Sequence, residues 1–203
     1  MDLRKTFKGK KVLITGHTGF KGSWLTLWLK FYGAKILGIS CNIPTSPSHF
    51  KLLNIKNIRS KKLDIRNLKL LSKEIQKFEP DFIFHLAAQS LVKKSYQFPS
   101  LTWETNALGT LNLLESLRLF KKKCTVILIT SDKVYKNIEI KKGYKEHDEL
   151  GGIDFYSSSK ASAELVINSY IKSFFPKNSK IKIGIARAGN VIGGGDWSPD
   201  RLI

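Results

Sequence analysis

Tyr156 and Lys160 stand four residues apart in YSSSKASAEL, at the start of a stretch with helical periodicity. An i,i+4 spacing puts both side chains on one face of a helix. A free phenol titrates near ~10, too high for a base at neutral pH. A neighbouring ammonium favours the phenolate, so the pair can take a proton from a hydroxyl undergoing oxidation. Alone, the spacing also fits an ordinary solvated Tyr–Lys pair. Upstream, TSDKVY (130–135) adds to it. Ser131 can hydrogen-bond the oxygen being oxidised, which completes a Ser–Tyr–Lys set. Asp132 and Lys133 follow at once. In a plain reductase two charges at a strand end need no function; in an enzyme that eliminates water they would supply an acid and a base.

A second chemical signal lies near the N-terminus. In KVLITGHTGFKGSWL (11–25), Gly16, Gly19 and Gly22 recur at three-residue intervals after an apolar run. Between a strand and a helix, such a turn points backbone N–H groups and the helix dipole at a pyrophosphate. Gly16 permits the tight turn, Gly19 the close approach of phosphate, and Gly22 the packing of helix on strand.

These groups need a scaffold that brings residues 16–22, 131 and 156–160 together. Short apolar runs at 11–15, 34–40, 59–65, 81–87, 125–131 and 180–188 read as strands. Helical patterns at 20–32, 46–54, 67–78, 102–120 and 156–175 alternate with them, with stops at Gly33 and Pro80. Alternation of this kind specifies an α/β fold. We expect a doubly wound parallel sheet of Rossmann type with helices on both faces, forming one domain over 1–203. The strand-five edge carrying Ser131 is then where open α/β sheets place chemistry. Trp24 and Trp28, four apart on the first long helix, read as core.

Composition narrows the function classes. The 203 residues carry 42% hydrophobic side chains and a net charge of +19, which fits a folded chain. No apolar run approaches the ~20 residues of a membrane span, and the first residues lack a secretory h-region. Only six of the 35 basic residues are arginine, and the lysines are scattered. A solvated basic surface is therefore favoured over a nucleic-acid face. Cys41 and Cys124 have no metal-ligand spacing and read as reduced thiols of a cytoplasmic protein, with no metal site.

Taken in order, GHTGFKGSWL, PTSPSHF, HLAAQSLVKKSY, TNALGT, TSDKVYKN, GGIDFYSSSKASAELV, ARAGNVIGGGDW and DRLI resemble the CDP-glucose 4,6-dehydratases. These form part of the extended short-chain dehydrogenase/reductase superfamily. The resemblance runs through nearly the whole sequence, and Asp132-Lys133 and GGGDW are its discriminating segments. It implies NAD as cofactor, although LGISCN on strand two carries no acid that would itself choose NAD over NADP. The cofactor would be held by Gly16, His17, Thr18, Gly19, Phe20, Lys21 and Gly22, by Asp64 and Ile65 against the adenine, by Leu86, Ala87, Ala88 and Gln89, and by Tyr156 and Lys160. CDP-glucose would be the substrate, touched by Ser90, Asn190 and Arg201, while His85 is either pocket lining or structural.

The implied reaction oxidises C4 through Ser131, Tyr156 and Lys160, eliminates water across C5 and C6 with Asp132 as acid, and returns the hydride to C6. Lys133 takes the base position. Members of this branch continue past DRLI, so the sequence is expected to be C-terminally truncated, with the substrate-binding part largely missing. The full-length form is expected to be a homo-oligomer. Two alternatives stay open: a non-catalytic NAD-binding remnant, and another nucleotide-sugar epimerase or dehydratase of the same branch.

Overall fold

In the computed structural model, which describes residues 2–200, six parallel strands form one sheet in the order β3-β2-β1-β4-β5-β6. They are β1 (Lys11–Thr15), β2 (Lys35–Ser40), β3 (Arg59–Lys62), β4 (Phe82–His85), β5 (Cys124–Ile129) and β6 (Ile181–Ala186). Val12 pairs with Ile36 on one side of β1 and with Phe82 on the other. The order reverses direction between β1 and β4. That reversal opens a crevice at the carboxyl ends of the strands, where α/β sheets bind ligands.

Strand alternation decides which helices cover which face. Leu13, Leu37, Ile39, Ile83, Val126 and Leu128 point to one side. There they meet α4 (Leu68–Phe78), α7 (Gly109–Arg118) and α8 (Phe155–Ser173) through Leu71, Ile75, Leu113, Leu117 and Ile167. Val12, Ile14 and Ile36 point to the other side, toward α1 (Leu3–Phe7) and α2 (Phe20–Phe31). Both faces are buried, which is why these strands are apolar nearly throughout. β3 is the exception. All four of its residues are exposed, and charge on an edge strand blocks pairing with another chain.

The structure revises several sequence expectations. α1 was not visible in the pattern. The Asp2 side chain caps it by accepting from the N–H groups of Arg4 and Lys5, and it places the Phe7 ring 5.0 Å from that of Phe82. The single helix expected over 102–120 is composite. It runs as α6 (Pro99–Trp103), a π-helical turn over Glu104–Leu108, and α7, after a separate α5 (Val92–Gln97). The short helix expected over 46–54 is α3 (His49–Leu53). α4 closes on Glu79 in the left-handed conformation, one residue before Pro80.

Trp24 and Trp28 are not core; they are 40% and 61% exposed. The buried face of α2 is made instead by Gly22, Ser23, Thr26 and Leu29, small enough to seat the helix close to the sheet. Among the described residues no helix is long and apolar enough to cross a membrane, and no cluster of His, Cys, Asp and Glu suits a metal ion. Both cysteines are free.

Candidate active site at the β1–β4 crevice

The glycine turn leaves β1 at Thr15. Gly16 has φ of +76°, and a Cβ there would lie 2.7 Å from the Ala87 nitrogen. A Cβ on Gly22 would lie 2.0 Å from the Gly16 carbonyl oxygen. At both positions a side chain is excluded. Gly19 is different: it caps α2, and the sole atom near its added Cβ is the Gly16 oxygen at 3.4 Å. Space therefore lies over Gly19, at the N-terminus of α2. That arrangement suits a phosphate group.

The loop is pinned from beneath. The His17 ring lies over Gly38; its Nδ1 and Nε2 sit 2.9 and 2.7 Å from the hydroxyls of Ser40 and Ser60. Burial pushes its pKa down. Thr18 Oγ1 donates to the Asn42 carbonyl at 2.6 Å. The side chains of His17 and Thr18 thus serve to hold the loop in place.

β4 delivers His85 into the interior. Its ring nitrogens meet Thr15 Oγ1 at 2.7 Å and Thr110 Oγ1 at 3.2 Å. Burial, with a smaller contribution from Lys160, lowers its pKa to about 3. The neutral ring joins β1, β4 and α7, as the structural alternative for His85 requires.

The shift carries a stability consequence. The unfolded chain binds the extra proton between pH 6.5 and about 3, so stability falls as pH drops through that window. The full effect is on the order of 5 kcal/mol. Urea unfolding at pH 7.5 and 4.5 should show a loss that is smaller in His85→Gln; equal losses in both chains would contradict this.

Beyond His85, Ala87 N–H donates to Thr15 Oγ1 at 3.2 Å. The Gln89 amide is turned inward, donating to the Leu91 carbonyl and to Thr102 Oγ1, both at 3.0 Å. Its backbone N–H donates to Asn106 Oδ1 at 2.8 Å. Ser90, next in line, is exposed.

At the end of β5, Ser131 is buried and caps a 3₁₀ turn over Asp132–Val134. Its hydroxyl accepts from the Lys133 N–H at 3.2 Å and donates to Asp132 Oδ1 at 3.0 Å. Asp132 and Lys133 are exposed on the open edge. Asp154 starts α8 by accepting from the N–H groups of Tyr156 and Ser157, both at 2.9 Å. Tyr156 and Lys160 follow on its buried face. The Lys160 ammonium is pushed down to about 8 by burial and by Lys21 across the crevice, against an opposing pull from Glu164. The turn carrying Lys21 and the helix carrying Lys160 are therefore close enough to interact.

Other expected positions are placed as follows. The Asp64 carboxylate is forked by Arg66, which also reaches Glu104 at 2.7 Å; the hydrogen bond from Arg66 holds its pKa below the usual range. Ile65 is buried beside Gly109. Asn190 is exposed past the end of β6, and Arg201 lies outside the described residues.

Sequence reasoning missed Asn106. Its Nδ2 donates to Ser159 Oγ at 2.9 Å and to the Gln89 carbonyl at 3.0 Å, and so ties the π turn to α8 and the β4 loop. A polar side chain between Thr102 and Thr110, in a helix otherwise packed by apolar residues, was the available signal. The pair Glu164 and Arg187, described below, was also missed.

This arrangement has parallels among known proteins. The family model for GDP-mannose 4,6 dehydratase matches residues 13–181. A CDP-glucose 4,6-dehydratase of Salmonella typhimurium is 47% identical over 97% of this chain and 56% of its own length. A CDP-paratose 2-epimerase of Salmonella typhi is 32% identical over 81% of this chain and 54% of its own. A dTDP-glucose 4,6-dehydratase of Streptomyces venezuelae, solved with NAD bound, superposes at a TM-score of 0.82 with 25% identity, over 95% of this chain and 59% of that one. The chain spans about half the length of the curated relatives it matches. With the matched residues running from the middle of β1 to the start of β6, the chain belongs to the GDP-mannose 4,6-dehydratase family.

Proposed function

We propose that this chain carries the NAD-binding and catalytic part of a CDP-glucose 4,6-dehydratase. The observation that carries the reading is the 3₁₀ turn at the end of β5. It presents an exposed acid and an exposed amine, Asp132 and Lys133, directly beside the buried Ser131. A redox site that only interconverts alcohols and ketones has no use for that pair.

Gly16, Gly19 and Gly22 would hold the cofactor pyrophosphate on α2, and Lys160 the nicotinamide ribose. Bound there, the nicotinamide would accept hydride from sugar C4 and supply it at C6. Ser131 hydrogen-bonds the C4 oxygen. Tyr156, its phenolate favoured by the Lys160 ammonium, takes the C4 hydroxyl proton. A ketone at C4 acidifies the C5 proton, because the resulting carbanion delocalises as an enolate. Lys133, neutral once the bound sugar has desolvated it, takes that proton, and Asp132 gives one to the departing C6 hydroxyl, which leaves as water. The product is a 4-keto-6-deoxy sugar. Apolar residues exposed on α6, the π turn and α8, among them Trp103, Leu108 and Leu165, support self-association.

Gly22→Ala tests the phosphate cradle. The added methyl has no room beside the Gly16 carbonyl, so the turn must shift. NADH affinity is expected to fall at least ~10-fold in a fluorescence titration, and unchanged affinity would remove the cradle from the account. The function itself is tested by incubating the chain and NAD with CDP-glucose, dTDP-glucose, UDP-glucose or GDP-mannose. Mass spectrometry should find a product lighter by one water from CDP-glucose. Inversion at C4 without water loss would instead indicate an epimerase. NADH binding with no product would indicate a non-catalytic remnant.

A further inference from the structure

Glu164 has no part in the reaction as written, yet it is fully buried beneath the site. It lies one helical turn beyond Lys160 and two beyond Tyr156, on the same face of α8. Its carboxylate accepts from Arg187 Nε at 2.9 and 3.1 Å and from Arg187 Nη2 at 2.6 Å. Thr130 Oγ1 donates to it at 2.7 Å. Arg187 in turn donates to the Glu146 carbonyl at 3.2 Å and stacks 4.6 Å over the Tyr135 ring.

The connections converge on the catalytic turn. Thr130 precedes Ser131, and Tyr135 ends the segment that carries Asp132 and Lys133. Arg187 follows β6, and the carbonyl of the next residue, Ala188, accepts from the Asp132 N–H at 3.1 Å. One buried ion pair therefore joins the ends of β5 and β6 to the middle of α8. A pair this deep adds little net stability over apolar side chains of the same volume, so stability alone gives no reason for it here.

We propose that Glu164 is a positioning residue of the site: clamped by Arg187 and Thr130, it fixes the Ser131–Lys133 turn against the Tyr156–Lys160 face and supplies the counter-charge beneath Lys160. The inference rests on the dehydratase reading only for its activity readout. Among the described residues, the ionisable groups that bear on Lys160 include Tyr156 on its own helix, Lys21 on α2 and His85 on β4. Lys21 disfavours the ammonium and Glu164 favours it.

Two variants separate charge from placement. Glu164→Gln keeps an acceptor for Thr130 and Arg187 and removes the charge. Glu164→Leu combined with Arg187→Leu replaces the pair by apolar bulk and guards against loss of folding. In chains labelled with ¹³C at lysine Cε, the Lys160 resonance, assigned by its absence in Lys160→Met, is followed against pH, with the melting temperature as a check on folding. The midpoint is expected to move to lower pH in Glu164→Gln. Turnover of CDP-glucose is expected to fall up to ~100-fold in the double variant at an unchanged melting temperature. An unmoved Lys160 midpoint, or full turnover in the folded double variant, would overturn the proposal. If the unsubstituted chain turns over no sugar, the dehydratase reading has failed, and the Lys160 titration still decides this one.

Discussion

Tyr156→Phe is expected to slow conversion of CDP-glucose by ~10²–10⁴-fold, the range for loss of a positioned acid–base group, while NADH affinity and melting temperature stay close to those of the parent. The ring of Tyr156 is buried on α8, and phenylalanine keeps its volume, so packing is preserved. What disappears is the hydroxyl that, on the proposed mechanism, takes the C4 proton. The loss should fall on kcat rather than on cofactor binding, because the phosphate cradle lies on another element. Asp132→Asn makes the informative contrast. It leaves C4 oxidation intact and removes the acid for the C6 hydroxyl, so reduced cofactor should accumulate at 340 nm without release of dehydrated sugar. Equal product from Tyr156→Phe, or equal loss of the 340 nm signal in both variants, would contradict the assigned roles.

Lys160→Met should make the protein more stable and inactive at once. Burial and Lys21 hold the Lys160 ammonium at about 8 against an ordinary 10.5. Between those values the unfolded chain binds more protons, so stability rises with pH across the window, and the whole penalty is present below it. At pH 7 that penalty is on the order of 3 kcal/mol. Methionine fills similar volume without a charge, and Glu164 keeps Arg187 and Thr130 as partners. Denaturant unfolding should therefore show a gain at pH 7 that shrinks by pH 10, together with loss of turnover. A less stable variant at pH 7 would mean that the ammonium is compensated in the fold. Stability given up at a catalytic position is a recurrent trade in enzymes.

The residues that sequence reasoning located share a local signature. Gly16, Gly19 and Gly22 follow an apolar strand; Tyr156 and Lys160 keep helical spacing; Ser131 closes a β-branched run. In each case a few neighbours fix the geometry, and the parallel order then brings them to one edge. What sequence reasoning missed depends on distant partners. Nothing near Glu164 in the chain announces Arg187, and Gln89 gives no sign that its amide turns to Thr102. The π turn over Glu104–Leu108 keeps helical composition and differs only in hydrogen-bond spacing, which places Asn106 against Ser159. Trp24 and Trp28 misled because large aromatics are usually buried, whereas α2 packs through its small face.

The most direct measurement uses CDP-glucose deuterated at C4, incubated with the chain and unlabelled NAD and analysed by mass spectrometry and NMR. The account expects a 4-keto-6-deoxy product that has lost one water and carries the deuterium at C6. That outcome would require the glycine turn and the Ser131, Tyr156 and Lys160 set to work as one site, with elimination through the Asp132–Lys133 turn. Sugar recovered with its deuterium still at C4, or inverted there without loss of water, would contradict it.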